Sequence, residues 1–257
     1  MRGYVYYLFV ARHRWGYGLH SPFMFWFYKR ILSPGCRREL SRVRARVRSL
    51  LKDQREVVCE RVYGAGSTRL SGEREKLASI VRHSSVSYKY GKVLYALARE
   101  FTPGVILELG TSVGISTMYL CEGAPGALLY TVEGCREKLD VCRENARLLG
   151  DDNVHTLEGS FEDVLPGFLS RTGQLDFVFI DGNHRKDSTI DHFEKLVDHL
   201  HSNSVVVIDD IHWSKEMSRA WHTITNHSRV KVSIDLYHMG VLFFRRELSR
   251  ERFVLAY

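Results

Sequence analysis

Two groups of residues in this 257-residue sequence have the types and spacing to do chemistry. The first is the loop Glu108-Leu-Gly-Thr-Ser-Val-Gly114, which follows an aliphatic run and precedes an amphipathic one. Glycines at 110 and 114 permit a tight turn and close approach of backbone to ligand, and a helix starting there offers unpaired N–H groups to an anion. A pyrophosphate would want a third glycine where Ser112 stands, and the carboxylate of Glu108 would repel it. An ammonium group would be welcome. The second group is acidic: Asp181 in Phe179-Ile-Asp-Gly-Asn-His184, and the pair in Ile208-Asp-Asp-Ile-His-Trp213. Carboxylates projecting from neighbouring strand ends raise one another's pKa, a conflict that a divalent cation resolves. His184, three residues after Asp181, is the candidate general base, with an ordinary pKa of about 6.5. His212 is the reserve.

These groups need elements to hold them, and from residue 104 onward the pattern is regular. Short aliphatic runs at 105–109, 127–132, 154–157, 175–180 and 204–208 alternate with amphipathic stretches near 114–122, 135–149, 187–200 and 214–226. That alternation reads as a parallel sheet flanked by helices. Residues 230–236 and 240–245 are strand-like runs too close together for a crossover helix, so the last pair is expected to be antiparallel. Both chemical groups then fall at the carboxyl ends of strands, where open α/β sheets bind ligands. A ligand with an ammonium, a carboxylate, a sulfonium and no phosphate suits the loop, which describes S-adenosylmethionine. Glu133, about 23 residues after Gly110, closes the second strand at the spacing from which a carboxylate reaches both ribose hydroxyls. Ser160 and Phe161, after the third strand, are placed to flank an adenine ring.

The first hundred residues differ in kind. They carry 21 Lys/Arg against 7 Asp/Glu, whereas residues 101–257 carry 16 against 23. Residues 1–32 hold eleven aromatics, a density expected of a packed cap. In 36–56 an Arg-rich helix is expected, its apolar stripe formed by Leu40, Val43, Val47, Leu50 and Leu51 and its arginines (42, 44, 46, 48) on a solvated face. Gly64-Ala-Gly-Ser67 reads as a turn, and 73–100 as one or two helices. The division is therefore an extension over 1–100 and a catalytic domain over 101–257. Five scattered cysteines without a CxxC pair suggest neither a disulfide framework nor a zinc ribbon, which fits a reducing, cytoplasmic setting. The apolar run 4–11 is too short to span a membrane.

On these residues the chain resembles a class I S-adenosylmethionine-dependent methyltransferase. Leu107-Glu-Leu-Gly-Thr-Ser-Val-Gly-Ile-Ser-Thr117 is similar to the first motif of the O-methyltransferase branch, which includes the catechol and caffeoyl-CoA enzymes. The stretch His13-Arg-Trp-Gly-Tyr-Gly-Leu-His-Ser-Pro-Phe23 also resembles uncharacterised bacterial methyltransferases with the same aromatic front. The resemblance implies a Rossmann-like, seven-stranded mixed sheet of order 3-2-1-4-5-7-6 with its last strand antiparallel, helices on both faces and an N-terminal helical extension. It implies that Glu108, Gly110 and Ser116 hold the methionine moiety, with Thr111, Ser112 and Gly114 completing the loop, Glu133 the ribose and Ser160 the adenine. Catechol-like enzymes carry a lysine three residues after the fourth-strand acid and an Asp-Asn pair after the fifth strand. Here those positions are His184 and Asp210. The Asp-Gly-x-His pattern instead resembles metal-dependent sugar O-methyltransferases, in which a histidine is the base.

The resulting expectation is an O-methyltransferase that uses S-adenosylmethionine and Mg²⁺. Its metal ligands are Asp181, Asp209 and Asp210, its catalytic residues are Asp181, His184 and His212, and its acceptor is a small-molecule hydroxyl. A ribose 2′-O-methyltransferase of RNA and a non-catalytic S-adenosylmethionine-binding module are the alternatives. Nucleobase methylation is disfavoured, since Asp181-Gly-Asn-His184 is neither an Asn/Asp-Pro-Pro-aromatic turn nor a Pro-Cys. The basic front is expected to complement the acidic domain, within one chain or across a homodimer, and to cover the acceptor pocket or mediate dimerisation. Trp213 and Trp221 are expected in the core or a pocket wall.

Overall fold

The computed structural model describes residues 7, 11, 21–33, 40–59 and 74–257. The expected turn at 64–67, Cys36 and five of the eleven front aromatics (Tyr4, Tyr6, Phe9, Trp15 and Tyr17) lie outside them. The chain groups into two compact units that do not follow a boundary at residue 100: Arg38–Gly173, and Met1–Arg37 together with Gln174–Tyr257.

The unit Arg38–Gly173 begins with the Arg-rich helix α2 (Ser41–Leu50), shorter than its sequence pattern, and the small antiparallel pair β1 (Glu56–Val58) and β2 (Arg74–Lys76). Helices α3 (Leu77–His83) and α4 (Tyr88–Phe101) follow. Next come β3 (Val105–Leu109), α5 (Ile115–Gly123), β4 (Leu128–Glu133), α6 (Arg136–Leu149), β5 (Val154–Glu158) and α7 (Phe161–Leu169). The strands pair parallel, β3 with β4 and β4 with β5. Apolar residues on β3 and on the inner faces of α4 and α6 are buried, as their periodicity requires. Gly91 lets α4 meet α5 closely, because a Cβ there would lie 2.3 Å from the ring of Tyr119.

The arginines of α2 do more than face solvent. Arg46 donates to Asn145 Oδ1 at 2.5 Å and to Glu144 at 2.7 Å, while Arg42 donates to the carbonyl of Leu149 at the end of α6. Arg55 adds a second cation on Glu144 at 2.9 Å. Unsatisfied carbonyls and the negative end of a helix favour such cations, so this basic front segment does complement the acidic region within one chain.

In the other unit, α1 (Pro22–Phe27) has proline at its first position and runs on as a π-turn over Tyr28–Leu32. The remaining elements are β6 (Leu175–Ile180), α8 (Lys186–Val197), β7 (Leu200–Asp209), α9 (Lys215–Thr225), β8 (Val232–Asp235), β9 (Met239–Phe243) and β10 (Glu251–Val254). Strand β6 pairs parallel with β7, whereas β9 lies antiparallel to both β7 and β8, as the short β8–β9 connection requires. Among the described front residues, Phe23 and Phe27 meet Phe243 edge-on at 5.0 and 5.9 Å, and Tyr7 meets Tyr237 at 5.0 Å with the rings tilted by 50°.

Within each unit the strand order is that of the expected Rossmann-like fold: 3-2-1 in the first and 4-5-7-6 in the second. One correction is an eighth strand, since β10 extends the edge parallel to β8. Its sequence, Glu-Arg-Phe-Val, is half polar and half-buried, as befits an edge, and gives no aliphatic run to read. A second correction is a disulfide between Cys59 and Cys135, 76 residues apart, where no bridge was expected.

Candidate functional site

The loop between β3 and α5 is built as its glycines demand. Gly110 and Gly114 have φ of 103° and 80°, and Ser112 is held left-handed at 45° without being glycine. At Gly114 a Cβ would also lie 2.7 Å from Cys142 Sγ, so conformation and space both exclude a side chain. Asn145, absent from the sequence reading, braces the loop by donating to the carbonyl of Val113 at 2.7 Å. The same Asn145 receives Arg46, which ties the loop to the Arg-rich helix.

Two polar atoms of this loop are buried without a hydrogen-bond partner, Glu108 Oε1 and Ser112 Oγ. Glu108 is fully buried, and its other oxygen accepts from Thr117 at 2.6 Å and Thr131 at 2.7 Å. Burial pushes its carboxyl above the usual range, against the opposing pull of the hydroxyls of Ser116, Thr117 and Thr131. A buried carboxyl with one oxygen free for a donor fits an ammonium-bearing ligand. Thr111 is buried and bonded to Thr131, and Ser116 is buried in the first turn of α5.

Glu133, at the end of β4, is oriented from both sides. Its Oε2 accepts from the N–H of Ser112 at 2.9 Å and its Oε1 from that of Cys135 at 3.0 Å. Each oxygen keeps a lone pair, so a carboxylate fixed in this way can still take two ribose hydroxyls. Ser160 is occupied otherwise: it caps α7, accepting from Asp163 N at 3.1 Å and donating to Asp163 Oδ2 at 2.7 Å. Phe161 beside it is half-buried and opens the helix.

The second unit holds the acidic group at the ends of β6 and β7. His184 Nε2 lies 3.7 Å from Asp181 Oδ1, as the three-residue spacing suggested. Burial pushes the imidazole below its usual pKa, and the charge of Asp210 works against that. Asp209 is pushed up to about 8 by burial and by the neighbouring charge of Asp210, with the N–H of Asp210 opposing. Asn183 and Asp210 have φ of 52°, so both strand-end loops hold non-glycine residues in the left-handed region. His238 Nδ1 also approaches Asp210, at 3.7 Å.

His212 is bound at both nitrogens, Nε2 to Asp235 Oδ2 at 2.7 Å and Nδ1 to Ser218 Oγ at 3.0 Å. It therefore ties its loop to β8 and offers no free nitrogen. Trp213 is 74% exposed, contrary to expectation, whereas Trp221 is buried against Gly240. The donor set of Asp181, Asp209 and Asp210 has the chemistry of a hard-cation site. Its oxygens do not converge, however. Among the described residues only Cys59, Cys135 and Glu137 bring three candidate ligand atoms within 4.8 Å, and two of those are the bonded sulfurs.

Comparison with known proteins bears on the domain and the fold. Residues 107–211 match the family model of a methyltransferase domain. A protein of Mycobacterium tuberculosis named as a probable O-methyltransferase is 28% identical over 166 residues, which cover 57% of this chain and 70% of the relative. The catechol O-methyltransferase of the same organism is 31% identical over 129 residues, 49% of this chain and 57% of its own length. Among solved structures, an O-methyltransferase from Bacillus cereus in complex with S-adenosylhomocysteine superposes with a TM-score of 0.55 at 22% identity, covering 63% of this chain and 83% of that one. With the loop, the acid at the second strand end and the strand order in place, residues 107–211 match a methyltransferase domain and the chain is similar to S-adenosylmethionine-dependent O-methyltransferases.

Proposed function

We propose that the chain methylates a hydroxyl of a small molecule of the sugar, polyketide-like or phenolic kind. The observation that carries the reading is the β3–α5 loop, where Glu108 Oε1 and Ser112 Oγ are buried without partners beside a Glu133 held by two backbone N–H groups. Bound S-adenosylmethionine supplies an electrophilic methyl on its sulfonium. Glu108 then accepts from the ammonium, Gly110, Thr111, Ser112, Gly114 and Ser116 line the methionine moiety, and Glu133 orients the ribose. In-line displacement leaves the protein two tasks, to place the acceptor oxygen and to take its proton. His184 takes that proton. Burial keeps its imidazole neutral and able to accept, and Asp181 orients the ring and balances the charge it gains.

Asp181, Asp209 and Asp210 have the donor chemistry for Mg²⁺ and would hold it only with their oxygens drawn closer together; the ion would lower the pKa of the acceptor hydroxyl, and the proton step stays with His184. The conflict that raises Asp209 supports a cation here, since a neighbouring positive charge removes it. Arg42 and Arg46 are engaged by α6, which weakens the nucleic-acid alternative. No helix among the described residues is long and apolar enough to cross a membrane.

Calorimetry of the full chain with S-adenosylhomocysteine, followed by a methyl-transfer screen of sugars, phenols and RNA with and without chelator, tests this reading. Binding together with chelator-sensitive turnover of a hydroxylated small molecule is expected. Absence of binding overturns the cofactor reading, undiminished turnover in excess chelator removes the metal, and turnover confined to RNA replaces the acceptor class.

A further inference from the structure

The disulfide joins two segments that matter to the cofactor acid. Cys59 directly follows β1, and Cys135 sits between Glu133 and the first turn of α6. The backbone N–H of Cys135 holds Glu133 Oε1 at 3.0 Å, one of the two bonds that aim this carboxylate. β1 is thus clamped to α6 twice, by Arg55 on Glu144 at 2.9 Å toward the end of the helix and by the disulfide at its start. A cavity of about 210 Å³, lined by Arg55, Val57, Glu137 and Asp140 among others, opens along the same seam.

We propose that Cys59–Cys135 is a reversible thiol-exchange site that sets cofactor affinity by fixing or freeing the N–H that orients Glu133. The inference rests on the ribose role of Glu133 proposed above. Its reaction partner is a low-molecular-weight thiol of the glutathione class. Cys59 is half-buried and Cys135 only 4% exposed, so the thiolate attacks Cys59 Sγ. The S–S bond breaks, and Cys135 Sγ leaves as a thiolate at the amino end of α6, where free N–H groups favour negative charge. A second thiol displaces Cys59 from the mixed disulfide. Two small thiols become one small disulfide, their two electrons reduce the protein bridge, and the two protons end on Cys59 and Cys135. Glu137 Oε2 lies 3.3 Å from Cys135 Sγ, placed to accept a hydrogen bond from that sulfur once reduction has made it a thiol. Reduction leaves the start of α6 without its covalent tie, and Glu133 loses part of its preset orientation. The chain therefore binds cofactor most tightly when the thiol pool is oxidised.

The test is calorimetry of S-adenosylhomocysteine binding to the full chain before and after reduction by glutathione, with the state of both cysteines read by alkylation and mass spectrometry. Kd is expected to rise about fivefold on reduction, the scale of one weakened hydrogen bond, and to return on reoxidation. Cys59→Ser is expected to hold the reduced value whatever the thiol pool. An unchanged Kd across verified reduction overturns the proposal, even with a lower melting temperature, because the bridge is then structural only. Two cysteines that stay thiols in oxidised glutathione overturn it as well. Failure to bind in either state overturns the cofactor reading beneath it.

Discussion

The two units place acids at the ends of parallel strands and treat them in opposite ways. In Arg38–Gly173 the carboxylates are held in place: Glu133 by two backbone N–H groups, and one oxygen of Glu108 by two threonine hydroxyls. In the second unit Asp209 and Asp210 stand side by side, each unfavourable to the other's charge, with His184 and His238 near enough to feel Asp210. A cofactor presents the same groups in every turnover and rewards rigid complementarity. Proton transfer instead needs groups whose protonation state is finely balanced. Under the function proposed above, the contrast assigns recognition to one half and chemistry to the other.

The sharpest way to break that assignment is His184→Ala. Loss of the base is expected to lower kcat about 100-fold or more while leaving the Kd for S-adenosylhomocysteine within about twofold. Steady-state kinetics and calorimetry on one preparation decide it. If Kd moves as far as kcat, the two halves are not separate in role. On the rigid side, Gly114→Ala meets both a φ of 80° and a Cβ position 2.7 Å from Cys142 Sγ. Thermal unfolding is expected to show a loss of about 1–3 kcal/mol. Adding Cys142→Ala should restore only part of it, because the overlap goes and the backbone strain stays.

Much of this contrast could be read in the sequence, and the reason is local. Strand runs, paired glycines and an acid about one βαβ unit downstream are encoded within some 25 residues, so β3, the loop and Glu133 fall where their spacing puts them. Asp181 and His184 are three residues apart and meet in the structure. What was missed is long-range or polar. Cys59 and Cys135 are separated by 76 residues, with no periodicity to announce the pair. The bond between His212 and Asp235 joins residues 23 apart and makes the reserve base a brace. The Ser-x-x-Asp spacing at Ser160 also encodes a helix cap, which the structure shows, and the exposure of Trp213 excludes the core half of the expectation of core or pocket wall. The arginines of α2 were assigned to solvent because helical periodicity says which face is polar and nothing about what that face meets.

Glu133→Ala sharpens the rigid side by removing the group that both N–H donors hold. The Kd for S-adenosylhomocysteine is expected to rise about tenfold, which corresponds to about 1.4 kcal/mol, with the pH dependence of kcat unchanged at saturating cofactor. An unchanged Kd would take the ribose away from Glu133 and leave it a loop anchor.

The smallest effect sits farthest from the chemistry, on Glu144. Arg55 holds its carboxyl below the usual range, burial opposes this, and Arg46 adds to the lowering. A carboxylate with a depressed folded pKa contributes stability that is fully present above its unfolded value, near 4.5, and is lost as pH falls through the folded value. Because the pair with Arg55 is half-exposed, the contribution is below about 1 kcal/mol and screened by salt. Glu144→Gln should therefore melt slightly earlier than wild type at pH 7 and low salt. The gap should narrow as pH falls below the unfolded value and close once it has passed the depressed folded value, where the native carboxylate is itself protonated. A gap that persists in acid would mean that Glu144 acts through packing and hydrogen bonding. The basic front would then be fastened to α6 by shape, and its excess of positive charge would be incidental to the fold.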